Sequence, residues 1–347
     1  MRKTAVVMSL LLAAGAAVAQ DKVTVQMKWV PQAQFAGYYV AAAKGFYKDA
    51  GLDVTIKPGG PDIAPAQVLA ANGADVSVDW MPSALAAREA GVPMVNIAQI
   101  YNRSGLMLTC KKSAGVSTPK DFKGKTIGVI SYGAVLVDVT KAMIAEAGLD
   151  PEKDVTFIET GAGAQAVAAL KSGKVDIWGT WDSQVATAEN MGVKLRKFTS
   201  PSADKLDFGS SYFARDDYVK NNPEVITKFL KCAALGTQVV MANPEGAVRA
   251  HWAVYPASKP TGEDDATALK QAMHIVNTRI EYVKAPTGEY GQFTLPSVTA
   301  TIDFMRANGQ IEGTLDPKDA FTNQFVAGAN KFDTAAVKAA ADSLPKK

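Results

Sequence analysis

Val23, Val25 and Met27 alternate with Thr24, Gln26 and Lys28, the period of two that buries one face of a strand and exposes the other. The pattern predicts a strand over residues 23–29, ended by Pro31. From Ala36 to Ala50 the apolar positions take helical spacing, closed by Gly51. A short strand over 54–56 follows, then the turn Gly59-Gly60-Pro61-Asp62 and a helix from about Pro65 to Asn72 stopped by Gly73. The next strand covers 76–78. The helix after it runs to Ala90 with Pro82 near its first turn, where proline is tolerated. The same order then recurs: strand 126–130, helix 137–147 closed by Gly148, strand 155–158, helix 165–171 stopped by Gly173, strand 177–179, and a helix to Met191 ended by Gly192.

Strands alternating with helices predict an α/β fold with parallel sheets and crossover connections. Leu106–Lys111 reads as a strand crossing from one lobe to the other, and Ser210–Ala214 as the return. Beyond it the pattern is mainly helical, over 223–242, 264–280 and 296–308. The expected organisation is a discontinuous first lobe, residues 20–112 plus 208–347, and a second lobe over 113–207.

The two units share more than their order. Asp75, Trp80, Ala87 and Gly91-Val92 recur as Asp176, Trp181, Ala188 and Gly192-Val193, each 101 positions on, and Asp53-Val54-Thr55 recurs as Asp154-Val155-Thr156 at the same offset. Two copies of one α/β unit predict two similar lobes facing each other. Ligands of open α/β sheets bind beyond the carboxyl ends of the strands, and there Trp80 and Trp181 are expected to flank one cleft.

Composition narrows the function classes. At 347 residues the chain exceeds what one core usually covers. Lys and Arg (37) nearly balance Asp and Glu (34), for a net charge of +3, and no basic stripe with interleaved aromatics marks a nucleic-acid partner. Arg2 and Lys3, the apolar run Ala5–Val18 and the small-residue site Ala17-Val18-Ala19 predict a signal peptide over 1–19, cleaved after Ala19, and export to the periplasm of a Gram-negative cell. No later segment reads as long enough to span a membrane. Cys110 and Cys232 either bridge or lie singly buried.

Catalytic patterns are weak. His251 and His274 have no companion at metal spacing, and neither a nucleophile elbow nor a phosphate loop occurs. Thr160-Gly161-Ala162-Gly163 precedes a helix and reads as a simple strand-to-helix turn rather than an anion site. No metal, cofactor or catalytic residue is expected. The better signal is aromatic. Trp29, Trp80, Tyr132 and Trp181 all fall at predicted strand-to-helix junctions, where they serve either the core or a pocket. The paired Trp80 and Trp181 favour a pocket that stacks an aromatic ligand. Trp178, inside a strand, reads as core. Asp79 and Asp182 flank the paired tryptophans and suit a ligand amino group or ring N–H; Asp182 alternatively caps its helix. Gln32 and Gln34 occupy the first strand-to-helix loop, and Tyr101-Asn102-Arg103-Ser104-Gly105 forms either a cleft rim or an ordinary loop.

Trp29-Val-Pro-Gln-Ala-Gln-Phe-Ala-Gly-Tyr-Tyr-Val-Ala, then Lys44-Gly-Phe-Tyr-Lys-Asp-Ala-Gly-Leu-Asp-Val, resembles the opening of exported solute-binding proteins of ABC importers. It is similar in particular to the branch related to thiamine-pyrimidine synthase, whose members bind thiamine-pyrimidine precursors or riboflavin. Gly59–Asp62, Val78–Ser83, Asn96–Gly105, Gly124–Gly128 and Gly173–Asp182 extend the likeness, which covers roughly residues 22–215. The resemblance implies a two-lobed periplasmic-binding-protein clamshell of type II, a small-molecule ligand, a membrane permease as partner and a monomer. Its sulfonate, taurine and nitrate branches share the opening pattern. The synthases carry a cysteine-rich motif with lysine and histidine at the site, and this chain has no such cysteine cluster. Asp182 stands where a pyrimidine-binding relative carries Glu nearby, which leaves room for a larger, flavin-sized ligand.

Overall fold

The computed structural model describes residues 19–101, 104–132, 135–200, 206, 209–283 and 289–345; the segment read as a signal peptide, up to residue 18, lies outside them. The strands are β1 (Asp21–Gln26), β2 (Leu52–Lys57), β3 (Val76–Trp80), β4 (Met94–Gln99), β5 (Leu106–Lys111), β6 (Lys125–Val129), β7 (Val155–Glu159), β8 (Ile177–Trp181), β9 (Leu195–Phe198) and β10 (Ser210–Arg215). They form two five-stranded sheets, ordered β2-β1-β3-β10-β4 and β7-β6-β8-β5-β9. In each sheet one strand runs against the other four, β10 in the first and β5 in the second. Helices flank both sheets, so each is a mixed, mainly parallel sheet covered as an α/β lobe must be.

The 101-residue repeat has a physical basis. Asp75 Oδ2 accepts from the Thr24 N–H at 2.8 Å, and Asp176 Oδ2 accepts from the Thr126 N–H at 3.0 Å. Each aspartate thus pins the start of one strand to its neighbour. Thr55 pairs with Thr24 and Thr156 with Thr126, so the second repeated patch is equivalent by register. The last repeated positions are a helix stop. Gly91 and Gly192 sit at φ 89° and 83°, and the Val92 and Val193 amides return to the carbonyls of Ala87 and Ala188 at 3.0 and 3.1 Å. This is the Schellman closure, which favours glycine because its left-handed backbone has no Cβ to strain.

Several details depart from the sequence reading. The helix expected over 36–50 is two pieces, Ala36–Ala43 and Phe46–Asp49. β4 and β9 have no period-two signal: β9 is Leu-Arg-Lys-Phe, and β4 buries Asn96 and Gln99 among apolar residues. Asn96 is affordable there because its side chain donates to the Ala320 carbonyl (2.7 Å) and accepts from Ser211 Oγ (2.8 Å). β5, counted above with the first lobe through residue 112, pairs only within the second sheet. The chain therefore changes sheets between Gln99 and Leu106 and again between Phe198 and Ser210, and β5 and β10 are sheet strands rather than connectors. The two crossings touch: Ile100 and Tyr101 amides both donate to the Ser210 carbonyl, at 2.8 and 3.2 Å. Gly209 lies so close to the Tyr101 carbonyl that a methyl there would overlap it.

The helix Pro223–Ala242 does reach membrane-spanning length and apolarity, contrary to expectation. Ile226, Phe229, Leu230 and Ala233 on it pack into the core around β1, β3 and β10, and Val239 and Val240 join a core with Val40, Val248 and Val276. Cys110 and Cys232 are both buried and free.

Candidate functional site

The carboxyl ends of strands from both sheets converge on one cleft, the place where ligands of open α/β sheets bind. Lys28 and Trp29 follow β1, and Trp80 ends β3. From the second lobe Ile130 follows β6, Gly161 and Ala162 follow β7, and Gly179, Thr180 and Trp181 end β8. Ser183 and Gln184 open the helix Asp182–Asn190, and Arg279 reaches in from the helix Asp265–Val283. Trp178 is 2% exposed, as core placement requires, yet one side of it forms cleft wall.

The paired tryptophans meet. Trp80 and Trp181 stack directly, with ring centroids 4.6 Å apart and planes 15° from parallel. An aromatic ring between two indoles needs two contact distances of about 3.5 Å each, so no ligand ring fits between them at this spacing. The sequence reading of a ligand sandwiched by this pair is corrected: the indoles contact each other across the two lobes, and both line the cleft. Each ends a strand opposite the first residue of an antiparallel strand, Ser210 for Trp80 and Leu106 for Trp181. That symmetry is why they meet.

The carboxylates lie behind the wall rather than on it. Asp79 is 2% exposed and Asp182 fully buried, and neither lines the cleft. Lys28 Nζ is 3.3 Å from Asp79 Oδ1 and 4.7 Å from the Trp80 ring centroid. Burial pushes the Asp79 carboxyl up from its ordinary value, against the Lys28 charge and the Trp80 N–H that favour its ionised form. On the second-lobe side, Asp182 Oδ1 lies 2.6 Å from Arg279 Nη2 of the helix Asp265–Val283, outside hydrogen-bond angles, and Arg279 donates to Ser183 Oγ at 3.2 Å. Burial likewise raises the Asp182 carboxyl, opposed by the Arg279 charge. Asp182 does not cap its helix; Trp181 holds the cap position without a side-chain bond. Arg279 also lies over Tyr101, its Cζ 4.4 Å from the ring centroid. The cleft therefore presents two cations, each already neutralised from behind.

Of the residues singled out from sequence, Trp29, Gln34, Trp80, Tyr101 and Trp181 line the cleft. Gln32 does not; its Oε1 accepts from Gln34 Nε2 at 2.9 Å and positions that side chain. Ser104 is buried and accepts from the Leu106 N–H at 3.1 Å. Tyr132 stands away, 56% exposed, its hydroxyl on the Phe157 carbonyl at 3.0 Å. Asn102 and Arg103 fall outside the described residues. Sequence reasoning missed Lys28, Arg279 and the Gly161-Ala162 turn. Lys28 was legible as the solvent-phase residue beside Trp29, and the turn as a glycine pair before a helix. Nothing local marked Arg279, which lies nearly one hundred residues beyond the second tryptophan.

A family model described as NMT1/THI5 like matches residues 32–247, well over half of the chain. The chain belongs to the NMT1/THI5-like family. Among its relatives, the riboflavin-binding protein RibY of Chloroflexus aurantiacus is 27% identical over 317 residues, 89% of this chain and 87% of that one. The 4-amino-5-hydroxymethyl-2-methylpyrimidine phosphate synthase THI13 of Saccharomyces cerevisiae is 26% identical over 260 residues, 71% of this chain and 73% of that one. Among solved structures, the periplasmic aliphatic sulphonate binding protein SsuA of Escherichia coli matches with a TM-score of 0.67 at 16% identity, over 87% of this chain and 92% of that one. That likeness shows the fold: this NMT1/THI5-like chain is a two-lobed periplasmic-binding-protein clamshell. The resemblance drawn from the opening segment thus holds for the family and for the architecture.

Proposed function

We propose that this NMT1/THI5-like protein is exported, captures a small heteroaromatic nutrient in its interlobe cleft and hands it unchanged to an ABC-type permease. The observation that carries the reading is the combination of aromatic wall and internally neutralised charge. Trp29, Trp80, Trp178, Trp181 and Tyr101 supply flat apolar surface, while Lys28 and Arg279 offer N–H donors whose charge Asp79 and Asp182 already balance. A neutral ring with carbonyl or ring-nitrogen acceptors matches that surface. A sulfonate or nitrate would gain little from cations with no net charge to offer. Binding riboflavin in RibY, and making an aminopyrimidine in THI13, are both dealings with heteroaromatic rings.

The synthase alternative asks for histidine and cysteine beside lysine at the site. Here Lys28 lines the cleft, whereas His251 is packed against Tyr39, His274 faces Glu189 and Asn190, and both cysteines are in cores. The test is a thermal-shift screen with riboflavin, aminopyrimidines and aliphatic sulfonates, followed by chromatography of the recovered ligand. A heteroaromatic compound that raises the melting temperature and is recovered intact supports the proposal by mass action. A sulfonate that binds more tightly, or a ligand recovered as product, overturns it.

A further inference from the structure

The helix Asp265–Val283 belongs to the first lobe, where Ala272 and Val276 are buried with Val40, Val239 and Val248. Its other side runs along the second-lobe helix Asp182–Asn190. The two are tied at both ends. Arg279 meets Asp182 and Ser183 at one end. About two helical turns away, His274 lies between two residues of the second lobe. Its Nδ1 is 3.0 Å from Asn190 Oδ1, and its Nε2 is 3.2 Å from Glu189 Oε2. His274, Glu189 and Asn190 do not line the cleft.

The neighbours of the ring fix where its hydrogens sit. Asn190 Nδ2 donates to the Gln271 carbonyl at 3.0 Å. A carbonyl only accepts, so the amide oxygen is what faces the imidazole, and Nδ1 must carry a hydrogen. On the other side stands the Glu189 carboxylate, an acceptor as well, whose Oε1 is 3.1 Å from Lys197 Nζ. A neutral imidazole has one N–H and would turn a lone pair toward that carboxylate. The imidazolium has two and satisfies both acceptors.

We propose that His274 is a pH-sensitive latch between the lobes, closing the seam when its ring is charged and loosening it when the proton leaves. The conformation that holds a proton better is favoured as pH falls, and histidine is the side chain whose charge ordinarily changes between pH 5 and 8. The other charged groups at the seam are Glu189 with Lys197, Lys270 one turn back on the same helix, Glu263 in the groove beside Asn190 and Gln271, and the Asp182–Arg279 pair. Asp182 acts in the opposite sense, because its protonation weakens that pair. His251, the second histidine of the chain, is buried against Tyr39, and burial lowers its pKa to about 4, below this range. The latch requires no particular ligand in the cleft.

Nitroxide labels at Ile63→Cys in the first lobe and Tyr132→Cys in the second, both exposed positions, report the separation of the lobes by pulsed electron resonance. The native Cys110 and Cys232 are buried. Between pH 8 and pH 5 the ratio of closed to open protein is expected to rise about twofold to fivefold, the worth of a partly exposed ion pair. His274→Gln, which takes up no proton, and Glu189→Gln, whose amide can donate to the neutral ring, should each remove the response. Should His274→Gln fail to fold, Glu189→Gln carries the comparison. Equal distances at the two pH values, opening rather than closing in acid, or a response that persists in either variant overturns the latch.

Discussion

Replacing Arg279 with Met removes the charge that faces a fully buried carboxylate. Asp182 has no exposure, and Arg279 Nη2 at 2.6 Å is the cation paired with it. Breaking a buried pair from one side costs about 3–5 kcal/mol, since the remaining charge is left without compensation. Asp182 has one escape, which is to take up a proton. Burial already pushes its carboxyl up, and Arg279 is what opposes that. Holding an ordinary carboxyl neutral costs about 1.4 kcal/mol for each pH unit above its free value, hence about 4 kcal/mol at pH 7 and under 2 kcal/mol at pH 5. A folded-state pKa above the unfolded one favours the folded protein at low pH, and that advantage is lost as pH rises. Arg279→Met should therefore lose about 4 kcal/mol at pH 7 and roughly half of that or less at pH 5, read by urea unfolding at both. Asp182→Asn combined with Arg279→Met should recover most of the loss. The pair also joins the second-lobe helix Asp182–Asn190 to the helix Asp265–Val283, so small-angle scattering should show the single variant more open at pH 7 than the parent protein. An equal loss at both pH values, or a double variant no better than the single one, would refute the account.

Other expectations follow from the same geometry. The stacked Trp80 and Trp181 should give an exciton couplet in the far-ultraviolet circular dichroism spectrum; either tryptophan changed to Ala should abolish it, and a couplet that survives would rule out this contact. His251 is buried without a hydrogen-bond partner, and burial lowers its pKa to about 4. Its contribution to stability is complete above the ordinary histidine value and is lost as pH falls toward about 4, up to roughly 3 kcal/mol. His251→Phe should flatten that part of a stability–pH curve, and an unchanged slope would contradict the assignment. Gly209→Ala should cost about 1–3 kcal/mol, because its methyl meets the Tyr101 carbonyl where the crossings are bonded; a melting temperature equal to the parent's would show that the crossing yields.

The sequence by itself determined the repeated α/β unit, because its signals are local. Asp75 and Asp176 pin neighbouring strands, and Gly91 and Gly192 close helices through the left-handed backbone, so both copies leave the same residues at the same spacing. The opening segment likewise determined the family. Trp29, Gln34, Trp80, Tyr101 and Trp181 were legible as cleft residues because each falls at or near the carboxyl end of a strand or in a loop beyond one. Only the tertiary structure decided what these residues do to one another. It stacked two tryptophans that sequence logic had set on either side of a ligand, and it drew Asp79 and Asp182 behind the wall toward Lys28 and Arg279. The reason is range: a buried carboxylate takes the cation that packing brings nearest, and for Asp182 that cation comes from a helix far along the chain, with no periodicity or motif linking the two.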